Sequence, residues 1–182
     1  MKAIGIVGSP RKNGNIDTLV ESVLDGAKEA GYQTTKYRLN EMKYSGCQGC
    51  DYCKSHDTCR LDDDLSGLLR DIADADAVVF GSPIYFYLFT GQFKLMEDRM
   101  YSFIDSEFKS RIKPGKKAVI ITSQGDPNLN AYAKAADDFA GTLKFLGFDV
   151  REIIRMDDGG SKNAARESKD LQDRARSAGK AL

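Results

Sequence analysis

Short runs of consecutive apolar residues alternate along the chain with longer stretches whose apolar positions recur at helical spacing. The run from Ala3 to Val7 is typical of a strand that is buried on both faces. The apolar stripe from Ile16 to Ala27 predicts an amphipathic helix, and Gly31 is a stop signal for it. Similar patterns predict further strands at 35–39, 77–80, 118–121 and 148–154, and further helices at 65–73, 93–104, 136–143 and 163–179.

This order of elements, βαβαβαβαβα, is typical of an α/β fold with a parallel sheet and helices on both faces. Five strands fit the flavodoxin-like, doubly wound order 2-1-3-4-5. Ligands of such sheets bind beyond the carboxyl ends of the strands, at the switch point between strands 1 and 3. The chain contains no repeat, low-complexity tract or linker, so residues 1–182 are predicted to form a single domain.

Charge and composition exclude several classes of partner. Lys plus Arg is 27 and Asp plus Glu is 27, so the net charge is zero, and nothing favours nucleic acid or an anionic membrane as a partner. The N-terminal apolar run is too short for a signal peptide, and no stretch has the length and apolarity of a membrane span. We therefore expect a cytoplasmic protein whose thiols stay reduced.

The loop after the first predicted strand reads GSPRKNGN and opens directly into a helix. The free N–H groups and the positive end of that helix favour a phosphate. Ser9 and Asn15 can donate hydrogen bonds to it, and Arg11 can pair with its charge. The spacing fits neither a Walker A loop nor GxGxxG. The alternative is an ordinary helix cap beside a solvated basic turn.

Two further loops follow strands at the same edge of the predicted sheet. The first, GSPIYFYLF from Gly81 to Phe89, is rich in aromatic rings, which suit a flat ligand such as a flavin. The alternative is packing at a subunit interface, where aromatic residues are enriched. The second loop, from Thr122 to Pro127, could close over the edge of the ligand, but it is also compatible with a generic turn.

Taken together, GSPRKNGN, GSPIYFY and SQGD resemble the flavodoxin-like NAD(P)H-dependent FMN reductase superfamily, over nearly the whole chain. The resemblance implies a flavin-dependent oxidoreductase that binds FMN. The chain departs from the superfamily at Ile16, where Thr or Ser is frequent, so only the backbone N–H of that residue would serve the phosphate. The implied FMN contacts are Ser9, Arg11, Asn15, Ile16 and Thr18 for the phosphate, Pro83, Ile84, Tyr85 and Phe86 for the isoalloxazine, and Ser123, Gln124, Gly125 and Asp126 along its flank.

All four cysteines lie in one long irregular stretch, which we call the cysteine-rich loop (residues 40–62). Cys47, Cys50, Cys53 and Cys59 have the spacing C-x2-C-x2-C-x5-C, and four soft thiolates suit zinc or an iron–sulfur cluster. Zinc sites usually pair two Cys-x2-Cys turns across a long segment, whereas closely spaced thiolates are typical of ferredoxin-type clusters. Zinc ligation and bare thiols are the alternatives, since cluster-free members of the superfamily also carry cysteines in this loop.

With this loop, the chain resembles the iron–sulfur flavoprotein branch of the superfamily. The resemblance implies FMN-dependent electron transfer, with a [4Fe–4S] cluster on the four cysteines passing electrons to or from FMN. It also implies a redox partner such as ferredoxin or NAD(P)H, a small-molecule acceptor, and a homodimer or homotetramer in which each cluster lies near a neighbouring subunit's flavin. The alternatives are a cluster-free NAD(P)H-dependent FMN or quinone reductase and a non-enzymatic flavodoxin-like electron carrier. No acid or base residue is assigned to catalysis.

Overall fold

The computed structural model describes residues 1–157 and 159–182. Five strands form a parallel sheet in the spatial order β2-β1-β3-β5-β6, and a two-residue strand, β4, pairs antiparallel with the end of β3. The strands are β1 (Lys2–Val7), β2 (Gln33–Arg38), β3 (Ala77–Tyr85), β4 (Leu88–Phe89), β5 (Lys116–Ser123) and β6 (Phe148–Met156). Counting only the parallel strands, this is the predicted order 2-1-3-4-5, and the flavodoxin-like fold class is confirmed.

Helices cover both faces of the sheet because alternate residues of the central strands point to opposite sides. Ile4 and Ile6 of β1 join one apolar cluster, and Ala3 and Val7 join the other. The first cluster contains residues of α3, α4 and α5, and the second contains residues of α1, α6 and α7. The helices are α1 (Asn15–Glu29), α2 (Tyr52–Ser55), α3 (Asp64–Asp74), α4 (Gly91–Arg99), α5 (Ala133–Phe145), α6 (Ala164–Glu167) and α7 (Lys169–Lys180).

Three predicted elements end differently in the structure. The helix predicted at 93–104 ends at Arg99 and continues only as a tight 3-10 turn, Met100–Phe103. The helix predicted at 163–179 is two helices, because the Ser168 side chain accepts a hydrogen bond from the Leu171 N–H and caps α7. The strand predicted at 35–39 ends at Arg38, since Leu39 turns into the core and begins a short 3-10 turn.

The third strand is longer than the apolar run 77–80 indicates. Gly81 pairs with Ile121, and the ladder continues through Ser82 and Pro83, so much of the predicted loop is strand. Gly81 is also a point of close approach, because a Cβ there would lie 2.7 Å from the Ile16 side chain of α1. The extension places Pro83, Ile84 and Tyr85, which are predicted ligand contacts, at the end of a strand rather than on a loop.

The cysteine-rich loop is irregular apart from its short 3-10 turn and α2. It connects β2 with α3, and therefore leaves the sheet at the carboxyl edge, beside the loops that follow β1 and β3. Within the described residues, no helix is both long enough and apolar enough to cross a membrane.

Candidate functional site

A small cavity of about 50 Å³ lies at the carboxyl ends of β1, β3 and β5. Every residue that lines it, apart from Gly159, belongs to the set that the sequence predicts for FMN. These lining residues are Ser9, Arg11, Asn15, Ile16, Pro83, Tyr85, Ser123 and Gly159. The structure therefore brings residues of all three predicted loops to the switch point of the sheet.

The N-terminus of α1 presents free backbone N–H groups at this cavity. Gly14 is the N-cap residue, and no side chain caps the helix, so the N–H groups of the first turn keep their capacity to bind an anion. The loop before it is shaped locally: the Ser9 hydroxyl accepts from the Arg11 N–H at 3.1 Å, and Asn13 has a left-handed φ of 55°. A phosphate is the kind of group that such a helix end accommodates.

Asp17 fixes this helix end through contacts with β2 and with the loop before α1. Its carboxylate is 2% exposed and lies 2.9 Å from the Lys36 ammonium and 3.0 Å from the Arg38 guanidinium, both on β2. It also accepts the Asn13 N–H at 2.8 Å. Burial alone would raise the pKa of this carboxyl, but the bonds from Lys36, Asn13 and Arg38 bring the pKa below its ordinary value. No sequence motif indicates Asp17. The sequence feature that could have indicated it is an acid in the first turn of the predicted helix, together with Lys36 and Arg38 at alternate positions of the next strand.

The loop after β6 completes the cavity, and the motifs did not indicate it. The Asn15 amide donates to the Ser161 carbonyl at 2.6 Å and accepts the Ala165 N–H at 3.1 Å. The Arg11 guanidinium donates to the Gly159 carbonyl at 3.2 Å. Asn15, predicted to donate to a phosphate, therefore already has two partners within the chain. The signal that could have found this loop is the Gly159–Gly160–Ser161 run after the last strand.

The β3–β4 hairpin carries the exposed aromatic residues. Its two turn residues, Phe86 and Tyr87, have left-handed φ values of 46° and 70°, as a type I′ turn requires, although Asn and Gly are the residues that such turns prefer. Phe86 is 96% exposed, and Tyr87 packs edge-on against Tyr132 with a 5.3 Å distance between ring centroids. Backbone strain that presents aromatic rings to solvent is typical of functional segments.

The remaining predicted contacts lie in four different settings. Gln124 is buried, and its amide organises the turn by donating to the carbonyls of Asp126 (3.0 Å) and Asn128 (2.6 Å). Gly125 is exposed on that turn. Ile84 packs partly against the main core cluster. Thr18 does not line the cavity; it faces a separate surface depression beside α1.

All four cysteines line one cavity of about 210 Å³. Their thiols are free, those of Cys47 and Cys50 being exposed and those of Cys53 and Cys59 partly buried. Burial raises the pKa of the Cys53 thiol; the Lys54 charge lowers it, and negative charge on Cys59 and Cys47 raises it further. The remaining lining residues are Gln48, Gly49, Asp51, Arg60, Leu61, Arg99, Tyr101 and Ser102.

The backbone of the cysteine-rich loop bends sharply between the cysteines that line this shared cavity. Gly49 and Asp51 have left-handed φ values of 60° and 51°, and the Cys47 sulfur accepts the Gly49 N–H at 3.5 Å. Four soft donors around one cavity, with Arg60 and Arg99 also lining it, fit an anionic iron–sulfur cluster. In residues 1–157 and 159–182, however, no three His, Cys, Asp or Glu side chains are grouped as metal ligands. His56 stacks on Tyr52 and does not line the cavity.

Helix α4 connects the two cavities. At its start, the Thr90 hydroxyl donates to the Gly8 carbonyl at 2.7 Å, in the loop that follows β1. At its end, Arg99 lines the cysteine cavity. The helix has nine residues, which corresponds to a length of about 14 Å.

Comparison with known families identifies the fold's lineage. The sequence profile of the family described as NADPH-dependent FMN reductase matches residues 1–149. The chain belongs to this family. The match extends from β1 into β6 and includes the cysteine-rich loop, which confirms the predicted resemblance at the level of the family.

Curated relatives within this lineage carry the name iron–sulfur flavoprotein. One from Methanocaldococcus jannaschii is 38% identical over 99 residues, which are 54% of this chain and 51% of the relative. Another, from Methanosarcina thermophila, is 30% identical over 115 residues, 63% of this chain and 60% of the relative. The chain thus spans about half the length of the first curated relatives it matches: 51% of the Methanocaldococcus jannaschii protein and 46% of one from Archaeoglobus fulgidus.

Solved structures of several reductases share the fold. A flavone reductase superposes with a TM-score of 0.75 at 21% identity, covering 99% of this chain and 61% of that chain. The NAD(P)H:quinone oxidoreductase from Methanothermobacter marburgensis has a TM-score of 0.74 at 19% identity, covering 99% and 98%. At such identities the likeness establishes the architecture alone.

Proposed function

We propose that the protein is an FMN-dependent electron-transfer oxidoreductase that holds a [4Fe–4S] cluster on Cys47, Cys50, Cys53 and Cys59. One observation carries the proposal: the four cysteines line a single cavity in a member of the FMN reductase family. The names of the curated relatives, iron–sulfur flavoproteins, support the same reading.

The FMN site is proposed at the carboxyl edge of the sheet. The N–H groups of the first turn of α1, together with Ser9 and Arg11, would hold the phosphate. The isoalloxazine ring would lie against the end of β3 and the hairpin turn, from Pro83 to Phe86, with the turn from Ser123 to Asp126 along its flank. FMN, when bound, supplies the capacity to take up electrons singly or in pairs.

The task of the chain at this site is binding, orientation and shielding. Among the described residues that line the cavity there is no His, Cys, Asp or Glu, and Tyr85 is the one residue there with a phenolic proton. Asp17, Asn15 and Gln124 fix the surrounding backbone instead. We therefore assign no acid or base residue.

The cysteines would supply the ligands of the cluster. Their thiols must lose protons when they bind iron, and the nearby cations Arg60 and Arg99 favour the resulting negative charge. Electrons would then enter from a one-electron carrier such as ferredoxin, or from NAD(P)H, and leave to a small-molecule acceptor. The exposed aromatic hairpin suits a homodimer or homotetramer, and reduced thiols suit the cytoplasm.

Reduction of the flavin by a one-electron donor tests this function. Anaerobically prepared protein is mixed with reduced ferredoxin, and the flavin absorbance is followed in a stopped-flow instrument. Cys59→Ser should slow flavin reduction at least tenfold without loss of FMN. The matched control is Ser55→Ala, since that hydroxyl lies in the same loop but does not line the cavity. Equal rates in wild type and Cys59→Ser would overturn the proposal.

A cluster-free NAD(P)H-dependent FMN or quinone reductase is the second candidate. It is favoured by the finding that the described side chains form no ready metal-ligand group, and by the raised pKa of the Cys53 thiol. It predicts steady turnover of a quinone with NAD(P)H that Cys59→Ser leaves unchanged. Flavin reduction without multiple turnovers of any acceptor would instead favour an electron carrier.

A further inference from the structure

Arg99 is a buried cation at the wall of the cysteine cavity. It is the last residue of α4, it is only 1% exposed, and it lines the cavity together with all four cysteines. Removing a guanidinium from water costs several kcal/mol unless close partners compensate. Its partners therefore indicate what the position requires.

The guanidinium bridges the two ends of the cysteine segment. One terminal nitrogen donates to the Ser45 carbonyl at 2.9 Å, and the other is 3.4 Å from the Leu61 carbonyl. Ser45 precedes Cys47 by two residues, and Leu61 follows Cys59 by two residues. A single side chain thus contacts the backbone two residues before the first cysteine and two residues after the last.

Asp63 joins the same contact. Its carboxylate accepts from Arg99 at 2.8 Å and from the Ser45 N–H at 3.1 Å, while it also caps α3 through the Leu65 N–H. Burial would raise the pKa of the Asp63 carboxyl, but the bonds from Arg99 and Ser45 bring it below its ordinary value. The ion pair remains charged at neutral pH and connects α4, α3 and both loop ends.

These contacts leave part of the guanidinium unused. The Nε–H of Arg99 is fully buried and has no hydrogen-bond partner among residues 1–157 and 159–182. An unpaired buried donor on a cation costs free energy that a neutral Met or Leu would avoid. Arg99 and the four cysteines line the same cavity, so the guanidinium charge lies where it would stabilise negative charge on sulfur.

We propose that Arg99 is the positioning residue of the thiolate site, holding the two ends of the cysteine-rich loop together and placing a fixed positive charge beside the sulfur ligands. The inference rests on the proposed function, since it takes the sulfur ligands to be those of a cluster. The charge favours the state with one more electron, which arrives from the external one-electron donor without any bond or proton being exchanged. The Asp63 carboxylate offsets part of this charge, and we expect Arg99 still to raise the reduction potential of a bound cluster.

Two variants separate the geometric part from the charge. Arg99→Met keeps an apolar side-chain stem and removes the guanidinium, with both its hydrogen-bond donors and its charge. Arg99→Lys keeps a point charge but cannot reach both carbonyls with a rigid fork. The matched control is Arg155→Met, because Arg155 also has a fully buried, unpartnered Nε within the described chain but pairs with Asp137, away from the cysteine cavity.

The first measurement uses iron-free protein and amide hydrogen exchange. Arg99→Met and Arg99→Lys should accelerate exchange in residues 43–63 about tenfold or more, and Arg155→Met should leave that segment unchanged. Because no cluster is present, this result does not depend on the proposed function. Unchanged exchange in residues 43–63 of a folded Arg99 variant would overturn the bridging role. If Arg99→Met does not fold, Arg99→Lys decides the point.

The second measurement is a redox titration of the iron-loaded protein. Arg99→Met should disfavour the reduced state about tenfold, a downward shift of about 59 mV, whereas Arg99→Lys should retain most of the wild-type potential. A purely structural role would not distinguish Met from Lys in this way, and equal potentials in wild type and Arg99→Met would overturn the electrostatic role. If wild-type protein takes up no iron, the proposed function and the electrostatic role fail together, and hydrogen exchange alone decides the bridging role.

Discussion

At the scale of single residues, Asp17 shows how a side chain outside the proposed ligand contacts shapes a ligand-binding loop. It is held by Lys36 and Arg38 of β2 and holds the Asn13 N–H in return, so the loop before α1 is connected to the sheet edge. Gln124 acts in the same manner on the turn after β5, and Arg99 does so on the cysteine-rich loop. Each of these three loops is therefore held in shape by a buried polar side chain.

Asp17→Asn should destabilise the fold by about 3–5 kcal/mol at pH 7, because it leaves two partly buried cations without their carboxylate. The pKa of Asp17 is lowered by folding, so its contribution is complete above the ordinary carboxyl value of 3.8 and is lost as the pH falls through the folded value. The difference between wild type and variant should therefore be constant from about pH 5 to 8 and narrow below about pH 4. Urea unfolding at several pH values measures it.

Asp25→Asn on the same helix is the control. Its carboxylate is partly exposed and pairs with Lys28 at 3.0 Å and with Arg176 at 3.7 Å, and each exposed pair is worth about 0–1 kcal/mol. An Asp17→Asn effect as small as that of Asp25→Asn would show that the buried ion pairs do not hold the loop.

At the scale of elements, the structure combines a strained hairpin beside the site with a close helix pair on the far side of α1. The β3–β4 hairpin places Phe86 and Tyr87 at left-handed φ beside the small cavity. On the far side of α1, Gly26 and Gly179 allow α1 and α7 to approach until a Cβ on either would lie 2.0 Å from the opposite backbone carbonyl. The first feature serves ligand or partner contact, and the second serves packing.

Replacing Phe86–Tyr87 with Asn–Gly should stabilise the flavin-free protein by about 1 kcal/mol or more, because these residues suit a type I′ turn. The same change should weaken FMN binding, since it removes the Phe86 ring that is proposed to contact the flavin. Thermal unfolding and a flavin fluorescence titration measure the two effects. Phe108→Gly is the control: Phe108 also has a left-handed φ of 59° and is exposed, but it lies outside the proposed site. A loss of stability in the Asn–Gly variant would contradict this account of the turn.

Gly26→Ala should destabilise the protein by about 1–3 kcal/mol or more, because the new methyl group has to displace the α7 backbone. Gly141→Ala on α5 should instead stabilise by up to about 1 kcal/mol, since a Cβ there meets nothing within 4 Å and Ala favours helix. Chemical denaturation compares the two. Stabilisation by both substitutions would mean that α1 and α7 do not pack as closely as the structure has them.

At the scale of the whole molecule, the hydrophobic pattern predicts the architecture because buried parallel strands and amphipathic helices leave unambiguous periodicities. It predicts strand order and the edge at which ligands bind. It does not predict where β3 ends, because residues 81–83 pair with β5 through backbone hydrogen bonds that leave no apolar signature. It also leaves out the loop after β6 and the role of Arg99, since both depend on contacts between residues far apart in the chain.

The three predicted loops and the cysteine-rich loop meet at one edge of the sheet, and α4 extends from the first to the last. The ion pair between Lys12 and Glu41, at 3.2 Å, also connects the loop after β1 with the start of the cysteine-rich loop. The two proposed cofactor sites therefore belong to one connected framework.

The most direct test is the cofactor content of protein purified and reconstituted under strictly anaerobic conditions. Iron, acid-labile sulfide and flavin are assayed together for wild type and Cys59→Ser. The account predicts about four iron and four sulfide per FMN in the wild type, and loss of iron with retention of FMN in Cys59→Ser. Wild-type protein that binds FMN but no iron or sulfide after anaerobic reconstitution would contradict it.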